Sequence, residues 1–475
     1  MRNILCALFL ALFCARIFAA DYTITGSGTG TSKFSGLTSG TISPTPPAGG
    51  ITAQDNVDIF NFYDINNINV AVNKFNYTSS GEYGNGLSMY GTNALTAQEA
   101  RFYVEYAKSE TDIRACEFIN LNNGATFTMN GAINSLTNIR FGQSTTMYGN
   151  PVMNFNPYQA GQTSTSRINN FVIYYGVNGN TSATLNINEG AIVYANGVTT
   201  FTRQETHAYT YSTTFNINGG ALYLGGFSYS FENDNFTINH NSGTFGSKSG
   251  VYITKGGLAG SLKYVVGENV TFDTAGGTLE IGDFSDPEDV VLARSAEVTN
   301  FTVKGGMEFN IYTNIDVING DVRVTDGTIM HVGSGWLYNA KSVRVDAGSI
   351  LGFDGDMVLN ANSHIIIGVD GQYSFGQVGN ASAISTSDGE FGALQFVIDS
   401  NAFANDDQIT LYFSDIIGDS SFTEWDSFDI QANYSYTVDI ANGSITFAVP
   451  EPAAIAAVFG GFALAFSFIR RRKRL

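Results

Sequence analysis

The sequence predicts an all-β chain: a right-handed parallel β-helix (a solenoid) closed by a small antiparallel β cap. Three observations carry that prediction. Apolar and polar residues alternate with a period of two in segment after segment, as in Phe171-Val172-Ile173-Tyr174-Tyr175, Thr184-Leu185-Asn186-Ile187-Asn188, Phe215-Asn216-Ile217-Asn218 and Phe236-Thr237-Ile238-Asn239. That is the pattern of strands with one buried face. Proline is scarce, with only Pro287 between Tyr158 and Val449, as a paired sheet requires. The third observation is an internal repeat. Asn300–Met307, Asp321–Thr328 and Ser342–Ser349 begin 21 residues apart. Each reads polar, apolar, polar, apolar, then a Gly-containing turn, then a second strand at Met307–Ile311, Thr328–Val332 or Ser349–Phe353.

A period near twenty with strand, turn and strand content points to stacked units, since one such unit cannot bury its apolar face alone. Stacking places Val on Val and Asn on Asn. Asn ladders inside the turns would satisfy their amides through the neighbours above and below. Looser copies lie upstream at Ala125–Ala132, Thr184–Val193 and Thr214–Leu224, and Phe215 to Phe236 again spans 21 residues. Wider spacings, 30 from Leu185 to Phe215 and 36 from Phe236 to Phe272, read as the same units with loops inserted. A β-sandwich array is the competing architecture, but its unlike strands would not repeat at 21.

Residues 1–20 form a secretory signal peptide: Arg2, an apolar stretch from Ile4 to Phe13, and small residues for cleavage at Ala19 or Ala20. Residues 21–50 are a Gly/Ser/Thr/Pro-rich lead-in, partly extended and part of an N-terminal cap. The solenoid occupies 51–385. Within it Thr96–Lys108 is ambiguous. Thr96 and Glu99 have capping-box spacing for a helix, whereas Phe102, Val104 and Tyr106 alternate as a strand would. Residues 386–449 form the antiparallel cap, with strands at Phe391–Ile398, Gln408–Phe413, Ser427–Ile430, Tyr434–Ile440 and Ser444–Val449. The last two are joined through Ala441-Asn442-Gly443, a hairpin signal.

The C-terminus, 450–475, carries Pro450-Glu451-Pro452, an apolar run from Ala453 to Ile469, and Arg470-Arg471-Arg472-Lys473-Arg474 before Leu475. The seventeen residues of this run cover roughly 25 Å as a helix, the short end of a membrane span. The cations behind it stay cytoplasmic by the positive-inside rule. The two prolines hold the tripeptide extended and without N–H donors, and Glu451 adds a single charge. In combination these residues resemble the PEP-CTERM sorting signal of Gram-negative bacteria. The resemblance covers only the last 26 or so residues. It implies reading by an exosortase-type membrane transpeptidase after export through the secretion translocon. It also implies a body held transiently at the inner membrane in the periplasm, then released or attached at the cell surface or outside it. The body resembles an autotransporter passenger, but such a protein would end in a long barrel of alternating strands, and this chain ends in Arg and Lys.

Charge and composition narrow the function. The chain carries 23 basic and 42 acidic residues, net −19. Without Arg2, Arg16, the five terminal cations and Glu451, the body Asp21–Val449 has 16 basic and 41 acidic residues, net −25. Such a surface repels nucleic acid and anionic lipid. Once the leader with Cys6 and Cys14 is removed, Cys116 remains alone. It reads as a structural cysteine, with no disulfide framework.

A polysaccharide-cleaving enzyme needs carboxylates clustered with a His, Lys or Arg on one face. The candidates are Asp354 with Asp356 and the run Asp286-Pro287-Glu288-Asp289. His207, His240, His331 and His364 are scattered, without metal-ligand spacing. Asp326-Gly327, Asp354-Gly355-Asp356 and Asp370-Gly371 are Asp-Gly turns that fit no EF-hand or nonapeptide calcium loop. Trp336 and Trp425 are the only residues of the type that dominates sugar platforms. The expectation is therefore no catalytic, cofactor or metal site. The chain reads as a secreted, surface-sorted structural or adhesive protein that meets exopolysaccharide or other surface proteins. The alternative is a polysaccharide-binding or polysaccharide-degrading β-helix enzyme.

Overall fold

In the computed structural model the described residues run from Ala20 to Val449. They omit many segments between strands, among them 284–289, 313–319, 334–340, 354–356 and 418–428, and before Val152 they are almost entirely strand backbone. Residues 1–19 and 450–475 lie outside them, and with them the signal peptide, sorting motif, apolar run and basic tail. Among the described residues no helix is long and apolar enough to cross a membrane. The chain is mostly β, with long parallel sheets, and divides into two compact units, Met1–Val298 and Thr299–Leu475.

The first unit opens inside the predicted lead-in. Asp21–Thr25 runs parallel to Asn56–Phe60 and antiparallel to Thr41–Ser43, and Gly28–Gly30 joins Tyr63–Asn66. The described part of the ambiguous segment, up to Val104, is a strand. Ala94–Val104 pairs in parallel with Asn69–Ser79 along ten residues, and Ala94–Ala97 also takes Thr126–Met129 as a second neighbour. The period-two pattern wins over the capping spacing because the strand finds partners for its backbone groups on both sides.

From Val152 onward the side chains show how alternation becomes a core. Strand Val152–Phe155 pairs with Thr181–Asn188, which pairs with Tyr211–Leu224, then Asn235–Ser247, then Ser261–Asp273, all parallel. Met153, Leu185, Phe215, Ile238 and Tyr264 therefore fall on one line, and each is completely buried. Each apolar side chain so buried contributes roughly 1.5–3 kcal/mol. Phe171, Phe215 and Phe236 meet edge to face at 5.6 and 5.1 Å between centroids, the arrangement ring quadrupoles favour.

The expected 30-residue step from Leu185 to Phe215 is observed, but the 21-residue step from Phe215 to Phe236 is not. Phe215 sits opposite Ile238 and Phe236 opposite Thr213. Likewise Phe272 faces Phe245 rather than Phe236. A two-residue error keeps every side chain on its correct face, so alternation alone cannot detect it. The long strands bend where their register slips, between Ile217 and Ala221. At the corresponding corner Gly243 has φ +92, and a Cβ there would lie 2.2 Å from the Gly220 carbonyl oxygen. Glycine is needed for both reasons.

The second unit contains the regular repeat. Asn300–Lys304, Asp321–Val324 and Ser342–Val345 are parallel neighbours, with Phe301, Val322 and Val343 aligned and buried. The second strands, Glu308–Ile311, Ile329–Val332 and Ile350–Phe353, align Phe309, Met330 and Leu351 in the same way. The turn between them is fixed by backbone and hydroxyl together. Asp326 and Gly327 both have positive φ (61 and 72), and Thr328 N–H donates to the Thr325 carbonyl at 3.2 Å. The buried hydroxyl oxygen of Thr328 accepts from Gly306 N–H at 2.9 Å, and that of Ser349 from Gly327 N–H at 3.1 Å. Each turn thus satisfies a backbone donor of the turn before it.

The expected antiparallel cap is smaller than its segment. Ala393–Ile398 continues the parallel sheet beside His364–Gly371, and Asp429–Ala432 extends it further. Among the described residues of the segment, only Gln408–Tyr412, Ser435–Asp439 and Ser444–Ala448 form an antiparallel sheet. The last two are the hairpin read from Ala441-Asn442-Gly443, with Gly443 at φ +59. Alternation identifies a strand but carries no information about the direction of its partner.

Candidate functional site

Among the described residues, those singled out for chemistry do not come together. His240 is wholly buried, whereas His331 and His364 are half-exposed on different strands. Asp326 and Asp370 are exposed at separate positions. Ala20 is half-exposed just before the first strand. Ala19, Cys116, His207, Asp286, Glu288, Asp289, Trp336, Asp354, Asp356 and Trp425 lie outside the described residues, as do Pro450, Glu451, Pro452 and the cations Arg470 to Arg474. Among the described residues no three His, Cys, Asp or Glu side chains are grouped so as to hold a metal ion.

His240 belongs to the core. Its Nε2 lies 2.9 Å from the Gly243 carbonyl oxygen and its Nδ1 3.0 Å from the Tyr264 hydroxyl. A carbonyl can only accept, so Nε2 carries the proton and Nδ1 accepts from Tyr264. Loss of solvation pushes the imidazole pKa down to about 4, against a smaller upward pull from Gly243. The ring is therefore neutral at physiological pH. Burial also raises the Tyr264 hydroxyl well above its ordinary range.

What the parallel register does assemble is a set of polar columns on the solvent side of the first unit. The motif Thr-x-Asn-x-Asn begins at Thr184, Thr214 and Thr237, and its intervening apolar residues point inward. One column runs Asn154, Asn186, Asn216, Asn239. Each Nδ2 donates to the Oδ1 of the preceding residue, at 2.8, 2.7 and 2.8 Å. A second column runs Asn156, Asn188, Asn218, Asn241, with the same direction at 2.7, 3.1 and 2.8 Å. The expected Asn ladders thus exist, but along a strand face and its end rather than inside turns. Loop lengths differ, giving sequence separations of 32, 30 and 23 along the first column, yet the amides still meet.

The same sheet carries a mixed column farther along its strands. Arg167 lies over the Tyr194 ring at 5.7 Å, and Tyr194 stacks on Tyr223 at 4.9 Å between centroids. Tyr223 covers Gly246, where a Cβ would come within 2.3 Å of the ring, and its hydroxyl donates to Asp273 at 3.1 Å. Burial, then the Asp273 charge, raises the Tyr223 pKa. The faces of the Tyr194 ring are taken by Arg167 and Tyr223, so it offers no open stacking platform.

In the second unit, Arg323 and Arg344 are directly opposed on adjacent strands, a pairing that repels when left alone. Asp346 lies between them, 2.6 Å from each guanidinium. Burial pushes its carboxyl pKa up, but hydrogen bonds from Arg344, Arg323 and Thr325 outweigh that and hold it below the usual carboxylate range. The alternation that buries Val322 and Val343 puts both arginines on the opposite face. Arg323 is exposed, whereas Arg344 is half-buried against Asp346. The signal was Arg344-Val345-Asp346, a same-face pair two residues apart.

The chain matches no protein-family model, no curated protein sequence and no solved structure.

Proposed function

We propose that this protein is a secreted, surface-sorted structural or adhesive component of the cell envelope or extracellular matrix. In this reading its parallel sheets are the walls of a right-handed β-helix, and its C-terminal Pro-Glu-Pro segment is a processing signal for an exosortase-type enzyme. The observation that carries it is the order of the ends in the sequence: a basic and apolar leader with Ala19-Ala20, then the β body, then Pro450-Glu451-Pro452, an apolar run and Arg470 to Arg474. The long parallel sheets and their side-chain ladders support the reading, because repeated stacking builds surface from modest information. The net acidic charge supports it too, since it disfavours nucleic acid as a partner.

The experiment is replacement of Pro450 and Pro452 by Ala in the native host, followed by mass spectrometry of the C-terminus. The expected result is a membrane-retained form that keeps its Arg tail, against a trimmed form of the parent. Equal amounts of trimmed protein from both would overturn the sorting reading.

A further inference from the structure

We propose that the solvent side of the Thr-x-Asn-x-Asn ladder, from Thr184 to Asn241, is a docking face for a neutral, extended polysaccharide laid along the stacking direction. The proposal rests on the exported, adhesive reading above, because only an exported body meets such a polymer.

The face is a lattice set by register. Thr184, Thr214 and Thr237 are direct neighbours, and so are Asn186, Asn216 and Asn239. The threonine column and the first asparagine column are half-exposed throughout. Strands repeat at about 4.8 Å, which is comparable with the advance per sugar in an extended glycan. Each internal amide donates one N–H and accepts one such bond within its column. A carboxamide has two N–H donors and an acceptor with two lone pairs. Every step therefore has one donor and one acceptor site beyond the ladder, beside a threonine hydroxyl. Sugar hydroxyls also donate and accept, so they fit such a surface at each repeat.

Charge selects the class. The three motifs contain no charged side chain. Glu189, following Asn188, and Lys263, opposite Thr237, mark the edges of the face. An anionic polymer would find no row of cations here and a net charge of −19 on the whole chain. An apolar partner would find amides and hydroxyls. Because the ladder bonds already hold the amides in place, little side-chain freedom is lost on binding.

The test uses the full-length protein and two sets of probes in affinity electrophoresis: neutral β-glucan and xylan, and anionic alginate and polygalacturonate. Retention by at least one neutral polymer and by neither anionic polymer is expected. The triple variant Thr184→Val, Thr214→Val, Thr237→Val keeps side-chain shape and the amide ladders. It should retain the parent's circular dichroism and bind about tenfold or more weakly, since each lost hydrogen bond is worth a factor of several. Should that variant fold poorly, Thr214→Ser, which keeps the hydroxyl, must bind like the parent while Thr214→Val does not. No retention by neutral polymers, preference for the anionic ones, or unchanged binding by a folded triple variant overturns the proposal. Concentration-dependent dimers lost in that variant would assign the face to a second copy instead. Correct C-terminal trimming with no retention would sink this proposal while leaving the sorting reading intact.

Discussion

The two units solve one problem with different regularities. In Thr299–Leu475 the steps from Phe301 to Val322 to Val343 are each 21 residues, and the turn geometry recurs with them. In Met1–Val298 the steps from Met153 through Leu185 and Phe215 to Ile238 are 32, 30 and 23, and side chains hold the register instead. The inner aromatic contacts and outer Asn columns of the first unit replace the hydroxyl-capped turns of the second. Parallel stacking thus needs a constant register and not a constant length, and any row of residues that recognises its own kind can supply it.

The largest expected effect strikes the aromatic line. Phe215→Ala should destabilise the first unit by about 3–5 kcal/mol, whereas Val343→Ala in the second unit should cost about 1–3 kcal/mol. Hydrogen exchange of the strands on either side would measure both. Equal costs would mean that the rings of the first unit do not hold its register.

Acid separates the units next. The folded-state pKa of His240 is lowered to about 4 from 6.5, so the unfolded chain binds the proton first. Its contribution is fully present above the unfolded value and is lost as pH falls from about 6.5 to 4, by up to roughly 3 kcal/mol. His240→Phe should remove that slope from the first unit. The second unit has Asp346, whose lowered pKa stabilises above the ordinary carboxylate value. That contribution is lost only as pH falls through the folded value. Acid unfolding followed by exchange should show the first unit weakening earlier, and simultaneous loss would contradict this ordering.

A smaller difference lies at the corners. Gly327→Ala meets only ordinary contact distance, so its cost is conformational, about 1 kcal/mol, whereas Gly243→Ala adds a 2.2 Å collision. Thermal midpoints should fall clearly further for Gly243→Ala. The smallest effect is Arg323→Ala. Its exposed ion pair to Asp346 is worth about 0–1 kcal/mol, and relief of repulsion with Arg344 offsets part of that.

The sequence reading succeeded where length itself repeats. Val322 opposite Val343 follows from equal units, and so do the second strands near Met330 and Leu351. It failed where two answers share a parity: Phe236 and Ile238 both point inward, so only the structure shows that Ile238 faces Phe215. Strand direction at Ala393–Ile398 was equally silent, because alternation is the same for parallel and antiparallel neighbours. For the site, the residue type of the Asn ladders was legible from stacking. Their place on a solvent face was not, because that depends on which strand edges become neighbours after loops of unequal length.

The Asn columns also bear on how such a chain can grow. Every internal amide in them donates toward the earlier strand and accepts from the later one. A duplicated stretch carrying Thr-x-Asn-x-Asn would arrive with both halves of its contacts already encoded, a donor toward the strand before it and an acceptor for the strand after it. Its insertion would need no compensating change in its neighbours, and the connecting loop could be of any length. Lengthening by duplication is thus nearly neutral at the moment it occurs, which leaves the loops free to diverge afterwards.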